Sequence, residues 1–113
     1  MLVPTEKIYL ACGATDMRKS INGLVALVEG KFSLSPFESA WFVFCNRSKD
    51  RLKILTWEEN GFWLHLKRLE KGKFMWPSED SNDTMTLTYE ELQHIIQIPG
   101  IKEKLKRTAF KIV

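Results

Sequence analysis

The residues best suited to form a binding site are the cations and aromatic side chains that alternate along the middle of the chain. Between residues 47 and 73 there are eight lysines and arginines against four acids. Lysine and arginine neutralise phosphates and release counterions, and an exposed aromatic ring stacks on an unpaired base at about 1 to 3 kcal/mol. The pattern therefore predicts contacts with a nucleic acid. The candidate residues are Arg47, Lys49, Arg51, Lys53, Trp57, Trp63, Lys67, Arg68, Lys71 and Lys73.

Two alternatives stand beside this hypothesis. A run of surface charge is more often a solvated face than a binding site. Trp57 and Trp63 would also be withdrawn from any ligand if the N-terminal strand or the C-terminal helix covered them. The residue pattern leaves these alternatives open.

Other kinds of chemistry lack the residue patterns that they need. His65 and His94 are isolated from each other and from both cysteines, so neither a metal site nor a cofactor is predicted. Cys12 and Cys45 are expected to be buried, reduced thiols, with a disulfide as the lesser alternative. The chain also has no GxSxG motif and no glycine loop that would cradle phosphate. We therefore predict that the protein is not an enzyme, with a small nuclease as the minor alternative.

The length of the chain, 113 residues, is that of one domain that buries a core without metal or disulfide support. We expect a single domain over residues 1–100, followed by a basic tail over residues 101–113 that is either helical or flexible. The N-terminus lacks a signal-peptide pattern, and no stretch approaches the run of about 18 apolar residues that spans a membrane. These observations predict a cytoplasmic protein with no membrane partner.

A strand and a helix are the first elements expected to position the cations. Residues 7–11 are strand-forming, and Thr15 is the expected N-cap of the following helix, with Asp16 in its first turn. The apolar residues at positions 17, 21, 24, 25 and 28 recur at helical spacing, which predicts a helix that ends near Gly30.

The central stretch predicts an antiparallel meander with a tight turn at Asn60-Gly61. Because side chains alternate across a sheet, one face should take the helix and the other should interleave cations with aromatic rings. The four predicted strands are residues 41–45, 51–57, 62–67 and 73–76. The first face is expected to hold Leu52, Ile54, Thr56, Phe62, Leu64 and Leu66, and the second Arg51, Lys53, Trp57, Trp63, His65 and Lys67.

Local signals mark a second helix near the C-terminus. Thr88 and Glu91 have the spacing of a capping box, Leu87 can pack against Leu92, and Pro99-Gly100 should end the helix. The predicted fold class is α+β. We expect a single domain in which an antiparallel β-meander of about four to five strands packs against an N-terminal helix, with a short C-terminal helix.

Two motifs, in this order, resemble those of a known family. The first is T-D-M-R-K-S at residues 15–20, and the second is the block from F-V-F-C-N-R at residue 42 to W-P at residues 76–77. Together they resemble the TnpB-type accessory proteins, the second open reading frame products of the insertion-sequence sixty-six family of bacterial transposable elements. The positions singled out within these motifs are Thr15, Asp16, Met17, Arg18, Lys19, Asp50, Trp76 and Pro77.

The resemblance implies a non-catalytic accessory protein for DNA transposition, which acts beside a separate, larger transposase of the same element. It implies DNA and that transposase as partners, and it supplies no catalytic residues. The resulting hypothesis is a protein that binds DNA, the transposase or both. The alternative is a protein–protein interaction module of the transposase complex with no direct DNA contact. No oligomeric state follows from the sequence.

Overall fold

Five β-strands and two α-helices make up the described part of the chain. The computed structural model describes residues 7–80 and 82–97. The predicted tail and the predicted helix end at Pro99-Gly100 lie outside the described residues. In chain order the elements are β1 (Lys7–Ala11), α1 (Ile21–Glu29), β2 (Ala40–Cys45), β3 (Arg51–Glu58), β4 (Gly61–Arg68), β5 (Thr84–Leu87) and α2 (Tyr89–Gln97).

The strands form one mixed sheet in the order β4-β3-β2-β1-β5. β2, β3 and β4 are consecutive antiparallel neighbours, which confirms the predicted meander for these three strands. β1 lies parallel to β2, with Lys7 opposite Ala40, and β5 pairs antiparallel with the other side of β1. A parallel pair needs a crossover connection, and here that connection contains α1. The predicted α+β class is confirmed, and β1 and β5 extend the meander into a mixed five-stranded sheet.

The centre of the sheet is buried on both faces. One face packs against Leu24 and Val28 of α1, and the other packs against Leu92 of α2. β2 is buried at every residue, as expected for an apolar strand in the middle of a sheet that is covered on both sides. Over residues 7–80 and 82–97, neither helix is long and apolar enough to cross a membrane.

The hairpin between β3 and β4 has a different register from the predicted one. Glu58 pairs with Gly61, so only Glu59 and Asn60 form the loop. The positive φ, 53°, belongs to Glu59 and not to the Asn-Gly pair. With a two-residue loop, odd-numbered residues of β3 share a face with even-numbered residues of β4.

The predicted face that interleaves cations with aromatic rings is therefore wrong. Side chains that the sequence analysis placed together lie on opposite sides of the sheet, because a shift of one residue in register moves every side chain to the other face. The α1 side carries Arg51, Lys53, Leu55 and Trp57 with Phe62, Leu64, Leu66 and Arg68, and the α2 side carries Leu52, Ile54 and Thr56 with Trp63, His65 and Lys67.

The predicted strand at residues 73–76 is also wrong. Phe74 and Trp76 are buried, but their segment crosses the α2 side of the sheet and lies outside the strand ladder. The Trp76 Nε1–H donates to the Ala11 carbonyl (2.9 Å), and the Phe74 N–H donates to the Lys49 carbonyl (2.8 Å). The position beside β1 belongs to β5, whose residues the sequence analysis left unassigned.

Thr15 is not the N-cap of a helix, contrary to the prediction. α1 begins at Ile21, and Ser20 occupies the N-cap position without a side-chain cap hydrogen bond. Thr15 is buried, and its N–H donates to the Cys45 carbonyl at the end of β2 (2.8 Å). A partner far along the chain therefore holds this backbone, and the helix starts later than the local pattern indicates.

The predicted capping box at the start of α2 is confirmed. The Glu91 N–H donates to Thr88 Oγ1 (3.1 Å), and the Thr88 N–H donates to Glu91 Oε1 (2.8 Å). Leu87 and Leu92, on either side of the box, are buried in the same apolar cluster. Local sequence signals thus define where α2 begins.

Replacing Thr88 by alanine is expected to lower the free energy of unfolding by about 1 kcal/mol, because the Glu91 N–H loses its acceptor. The midpoint of urea-induced unfolding, followed by far-ultraviolet circular dichroism, measures the loss. Thr88→Ser keeps the hydroxyl and serves as the matched control. Equal stability of the alanine and serine variants would contradict the prediction.

Candidate nucleic-acid interface

Three strands end and two begin at one end of the sheet, which we call the basic end. It comprises the loops at residues 12–20, 46–50 and 69–83 together with the strand termini at Arg51 and Arg68. Because β1 and β2 are parallel, the loops that follow them leave at this same end. All eight predicted phosphate-contact cations lie in these loops or within three residues of the strand termini there. They are Arg47, Lys49, Arg51, Lys53, Lys67, Arg68, Lys71 and Lys73.

The loop between β2 and β3 is organised by the side chain of Asn46. Its Oδ1 accepts hydrogen bonds from the N–H groups of Asp50 and Arg51, both at 3.0 Å, and its Nδ2 donates to Asp50 Oδ1 at 2.7 Å. The bond from Asn46 holds the pKa of the Asp50 carboxyl below its ordinary value. The loop is thus fixed by one amide, and it presents Arg47 and Lys49 to solvent.

The segment after β4 is tied to the same loop. The Leu69 N–H donates to the Asp50 carbonyl (2.8 Å), and the Lys73 Nζ donates to the Ser48 carbonyl (2.8 Å). These bonds hold Lys71, which is exposed between them, beside the cations of the loop. Lys73 also contributes charge here, although a backbone oxygen already occupies one of its donors.

Lys53 connects the turn before α1 to the sheet. Its Nζ donates to the carbonyls of Met17 (2.8 Å) and Lys19 (3.0 Å). A lysine ammonium has three donors, so two of them are used within the protein. We therefore assign Lys53 a positioning role in the basic end and count it last among the candidate phosphate contacts.

Two arginines of the basic end are held by neighbouring acids. Arg18 binds the Asp16 carboxylate through Nε and Nη2, at 2.7 to 3.1 Å. This contact keeps the pKa of Asp16 well below its usual range. Arg68 donates from Nε to Glu70 at 2.9 Å. These ion pairs are exposed and leave donors of each guanidinium available to a ligand.

Other cations at the basic end have no such partner. Arg47, Lys49, Lys67 and Lys71 are exposed, and their side chains make no hydrogen bond or ion pair with any residue of the described ranges 7–80 and 82–97. Unpaired, exposed cations cost the least to bring to a phosphate, because no internal bond has to break first. They are the strongest candidates for direct contacts.

Arg51 and Arg68 lie directly opposite each other in the β3–β4 ladder. Like charges in this arrangement destabilise a sheet. Asp50, at 3.7 Å from Arg51, and Glu70, beside Arg68, offset the repulsion only in part, because both arginine side chains stay about half exposed, at 46% and 59%. A phosphate bound between the two guanidinium groups would remove the repulsion.

The two candidate tryptophans lie at the opposite end of the sheet. Trp57 is six residues from Arg51 along β3, which separates them by about 20 Å. It packs edge-on against Phe37 and Phe62, with ring centroids 5.0 and 4.9 Å away. Trp63 is 47% exposed, and its Nε1–H donates to Glu58. The structure therefore separates the aromatic candidates from the cations.

Burial lowers the pKa of His65, which stacks against Trp63 with ring centroids 5.9 Å apart. The folded protein therefore favours the neutral imidazole. The contribution to stability is fully present above the unfolded pKa of about 6.5 and is lost as pH falls through the lower folded pKa. We expect the free energy of unfolding to fall between pH 7 and pH 5 by more in the unsubstituted protein than in His65→Gln.

Urea unfolding at pH 7 and pH 5 tests this expectation. His94→Gln removes an exposed histidine on α2 and is the matched control. If His65→Gln and His94→Gln have the same pH dependence as the unsubstituted protein, burial of His65 has no effect on stability.

A groove of about 390 Å³ opens at the basic end. Arg47 and Lys49 line it together with Trp76 and Pro77. Glu79 forms part of its wall and is neutralised by Lys31 at 2.6 Å. The eight positions singled out within the family motifs all lie in the three loops of the basic end. They are Thr15, Asp16, Met17, Arg18, Lys19, Asp50, Trp76 and Pro77.

The cysteines are free and buried, as predicted. Burial raises the pKa of the Cys12 thiol, and it raises the pKa of Cys45 to about 11. Both thiols are therefore protonated and unreactive at neutral pH. Across the part of the chain that the structure describes, no group of three histidine, cysteine or acidic side chains is placed to hold a metal ion.

Asn46 is the residue of this site that the sequence analysis did not single out. A signal was present, because an asparagine that follows a strand and precedes a short polar turn often bonds to the backbone of that turn. The role of Lys53 had no such signal. It depends on the packing of the 17–19 turn over β3, which only the three-dimensional structure shows.

Comparison with known proteins places the chain among similar sequences. A family profile described as "IS66 Orf2 like protein" matches residues 6–107. The uncharacterized protein y4hO of Sinorhizobium fredii (strain NBRC 101917 / NGR234) is 36% identical over 74 residues, which cover 66% of this chain and 64% of that protein. The uncharacterized protein y4jC of the same strain is 39% identical over 71 residues, which cover 63% of this chain and 61% of that protein.

The matches to these two curated relatives thus span less than two thirds of their length. No solved structure matches the chain significantly.

Proposed function

The chain belongs to the IS66 Orf2-like family, and from this premise we propose that its basic end binds the phosphate backbone of DNA during transposition. The family implies a transposition-associated accessory protein and not a known enzyme. In this proposal the protein works beside the larger transposase of its element and contributes DNA affinity without contributing catalytic residues.

The observation that carries the proposal is the like-charge pair of Arg51 and Arg68 among unpaired cations. The pair is unfavourable in isolation and becomes favourable when an anion binds it. Arg47, Lys49 and Lys71 extend the same surface through two neighbouring loops. Several cations that are fixed close together suit a polyanion better than a single small anion, because each phosphate contact releases a counterion.

Double-stranded DNA fits this surface better than a single strand. Binding of single strands relies on exposed aromatic rings that stack on bases. Trp57 and Trp63 lie at the far end of the sheet, and the aromatic side chains within the basic end, Phe74 and Trp76, are buried. The cations therefore recognise the charge and spacing of the DNA phosphates, so little sequence preference is expected.

A titration of a fluorescently labelled duplex of about 20 base pairs, followed by anisotropy, tests the proposal. With about five phosphate contacts, the affinity should fall about 500-fold between 50 and 200 mM salt. A scrambled duplex should bind equally well, and a single strand of the same length should bind more weakly. Undetectable or salt-independent binding to the duplex would overturn the proposal, and tighter binding of the single strand would overturn the duplex preference.

A second candidate function, docking on the transposase without contact to DNA, is favoured by one observation. Met75 is 64% exposed although its neighbours Phe74 and Trp76 are buried. An exposed methionine next to Trp76, which lines the groove at the basic end, suits an interface that has a partly apolar partner. Co-purification of the two proteins after nuclease treatment, with loss of the complex in Met75→Glu, would support this function.

A further inference from the structure

β4 is an edge strand whose outer side has no strand partner among residues 7–80 and 82–97. It is eight residues long. Opposed residues of an antiparallel ladder alternate between exchanging both hydrogen bonds and exchanging none, so every second residue of β4 directs its N–H and C=O away from β3. The strand contains no proline, and its charged residues, Lys67 and Arg68, are confined to one end. A long edge of this kind is a template for another strand.

We propose that β4 pairs in the antiparallel direction with β4 of a second copy of this chain, which joins two five-stranded sheets across a two-fold axis. This inference does not rest on DNA binding, and it assigns Lys67 to the contact between the two copies and not to a phosphate. A two-fold interface uses the same surface on both subunits, so it must be complementary to itself. The edge of β4 meets this requirement through its charge and through its exposed apolar side chains.

The charge of the β3–β4 hairpin differs between its two ends. Glu58 and Glu59 lie at the turn, and Lys67 and Arg68 lie at the other end of β4. Antiparallel pairing brings the acidic turn of each copy beside the basic end of the other strand. Parallel pairing would bring like charges together, which opposes that arrangement. Charge complementarity therefore selects a second copy of this chain as the partner of β4, and it selects the antiparallel direction of pairing.

One register also matches the side chains. A two-fold axis perpendicular to the sheet keeps each face continuous, so residues of one face lie opposite residues of the same face. With His65 at the axis, Trp63 lies opposite Lys67 of the second copy, and Leu64 lies opposite Leu66 of the second copy. Trp63 and Leu66 are 47% and 60% exposed in the single chain, and this pairing covers both of them.

The same register creates a favourable contact between charge and ring. Trp63 donates its Nε1–H to Glu58 on the same face of the sheet. Lys67 of the second copy then approaches an aromatic face and a carboxylate together. A cation over a tryptophan ring is attracted by the ring electrons, and the carboxylate adds to this attraction. We therefore place Glu58, Trp63 and Lys67 at the centre of the specificity of the interface.

Sedimentation-velocity analysis of the purified chain without DNA, over protein concentrations from about 1 to 300 μM, tests the proposal. We expect a reversible equilibrium between monomer and dimer. Glu58→Lys and Lys67→Glu should each weaken dimerisation about tenfold or more, because each change turns an attraction into a repulsion and occurs twice by symmetry. The double variant Glu58→Lys/Lys67→Glu exchanges the charges and should recover most of the loss.

Glu90→Lys is the matched control, since it makes the same charge change as Glu58→Lys at an exposed position of α2, away from the edge. Amide hydrogen exchange provides a second measurement, and β4 should gain protection as the protein concentration rises. A chain that stays monomeric at 300 μM overturns the proposal. So does a dimer that Lys67→Glu leaves unchanged, or a β4 strand whose protection does not depend on concentration. If the amides of β4 are protected at every concentration while the protein stays monomeric, another segment of the same chain covers this edge.

Discussion

Glutamine at both Arg51 and Arg68 is expected to weaken binding to duplex DNA about a hundredfold at 0.1 M salt, while the folded protein becomes no less stable. Each substitution removes about one phosphate contact, which is worth about tenfold in affinity at this salt concentration. Loss of one contact also lowers the slope of log affinity against log salt by about 1. Stability is kept because the substitutions also remove the repulsion between two like charges placed opposite each other in the β3–β4 ladder.

Anisotropy titrations and urea unfolding of the same preparations test both halves of this expectation. Arg51→Gln alone should lose about tenfold in affinity, and it leaves the exposed edge of β4 unaltered. Lys7→Gln is the control, because Lys7 is an exposed cation at the opposite end of the sheet, where it pairs with Glu38 at 3.7 Å. Unchanged affinity in the double variant would exclude Arg51 and Arg68 from the interface. A loss of stability together with affinity would mean that the pair supports the fold.

Replacing Asn46 by alanine is expected to cost about 2 to 3 kcal/mol of stability and to weaken DNA binding as well. The side chain makes three hydrogen bonds, and its loss leaves the N–H groups of Asp50 and Arg51 without their acceptor. For a domain of this size the melting temperature should fall by about 10 °C. Binding should weaken because Arg47 and Lys49 would no longer be held in one arrangement.

Thermal unfolding, followed by circular dichroism, measures the first effect, and the duplex titration below the new melting temperature measures the second. Asn22→Ala is the matched control, since Asn22 is exposed on α1, where alanine is the better helix former. If Asn46→Ala is as stable as Asn22→Ala, the bonds that tie the segment after β4 to this loop are sufficient to hold it.

Elements with strong local signals could be predicted from the sequence. β1 has the predicted bounds, and the capping box of Thr88 and Glu91 forms as expected. β2 and β3 differ from the predicted strands by one residue at one end, and β4 differs by one residue at each end. In each case the sequence signal that predicted the element lies within a few residues along the chain. Periodicity and capping chemistry contain that information.

Features that depend on partners distant in sequence could not be predicted. Thr15 satisfies a helix-start pattern, but its N–H is taken by Cys45, thirty residues away along the chain. Residues 73–76 alternate like a strand, but Phe74 and Trp76 fill one face of the sheet and do not join its edge. Local pattern specifies that these side chains are buried, and only the tertiary structure specifies what buries them.

The candidate site also combines features that the sequence could predict with features that it could not. The predicted cations lie near one end of the sheet, although Lys67 is on the face opposite to that of Arg51, Lys53 and Arg68. Their placement at one end of the sheet follows from the antiparallel pairing of β2, β3 and β4. The parallel pairing of β1 with β2, which has no local signal, adds the loop at residues 12–20 to that end. Trp57 and Trp63 lie on opposite faces of the sheet because the loop formed by Glu59 and Asn60 is two residues long. The assignment of the cations to DNA contacts stays a prediction.

The interior position of β1, between β2 and β5, also sets an order of events during folding. β1 is synthesised before its partners, yet Lys7 pairs with Ala40 and Ile8 pairs with Leu87. Closing such long loops is slower than forming the β2–β3–β4 hairpins, whose strands are joined by short turns. The meander should therefore form first on the ribosome and leave one side of β2 open. β1 then docks there, and the sheet is complete only after β5 has emerged.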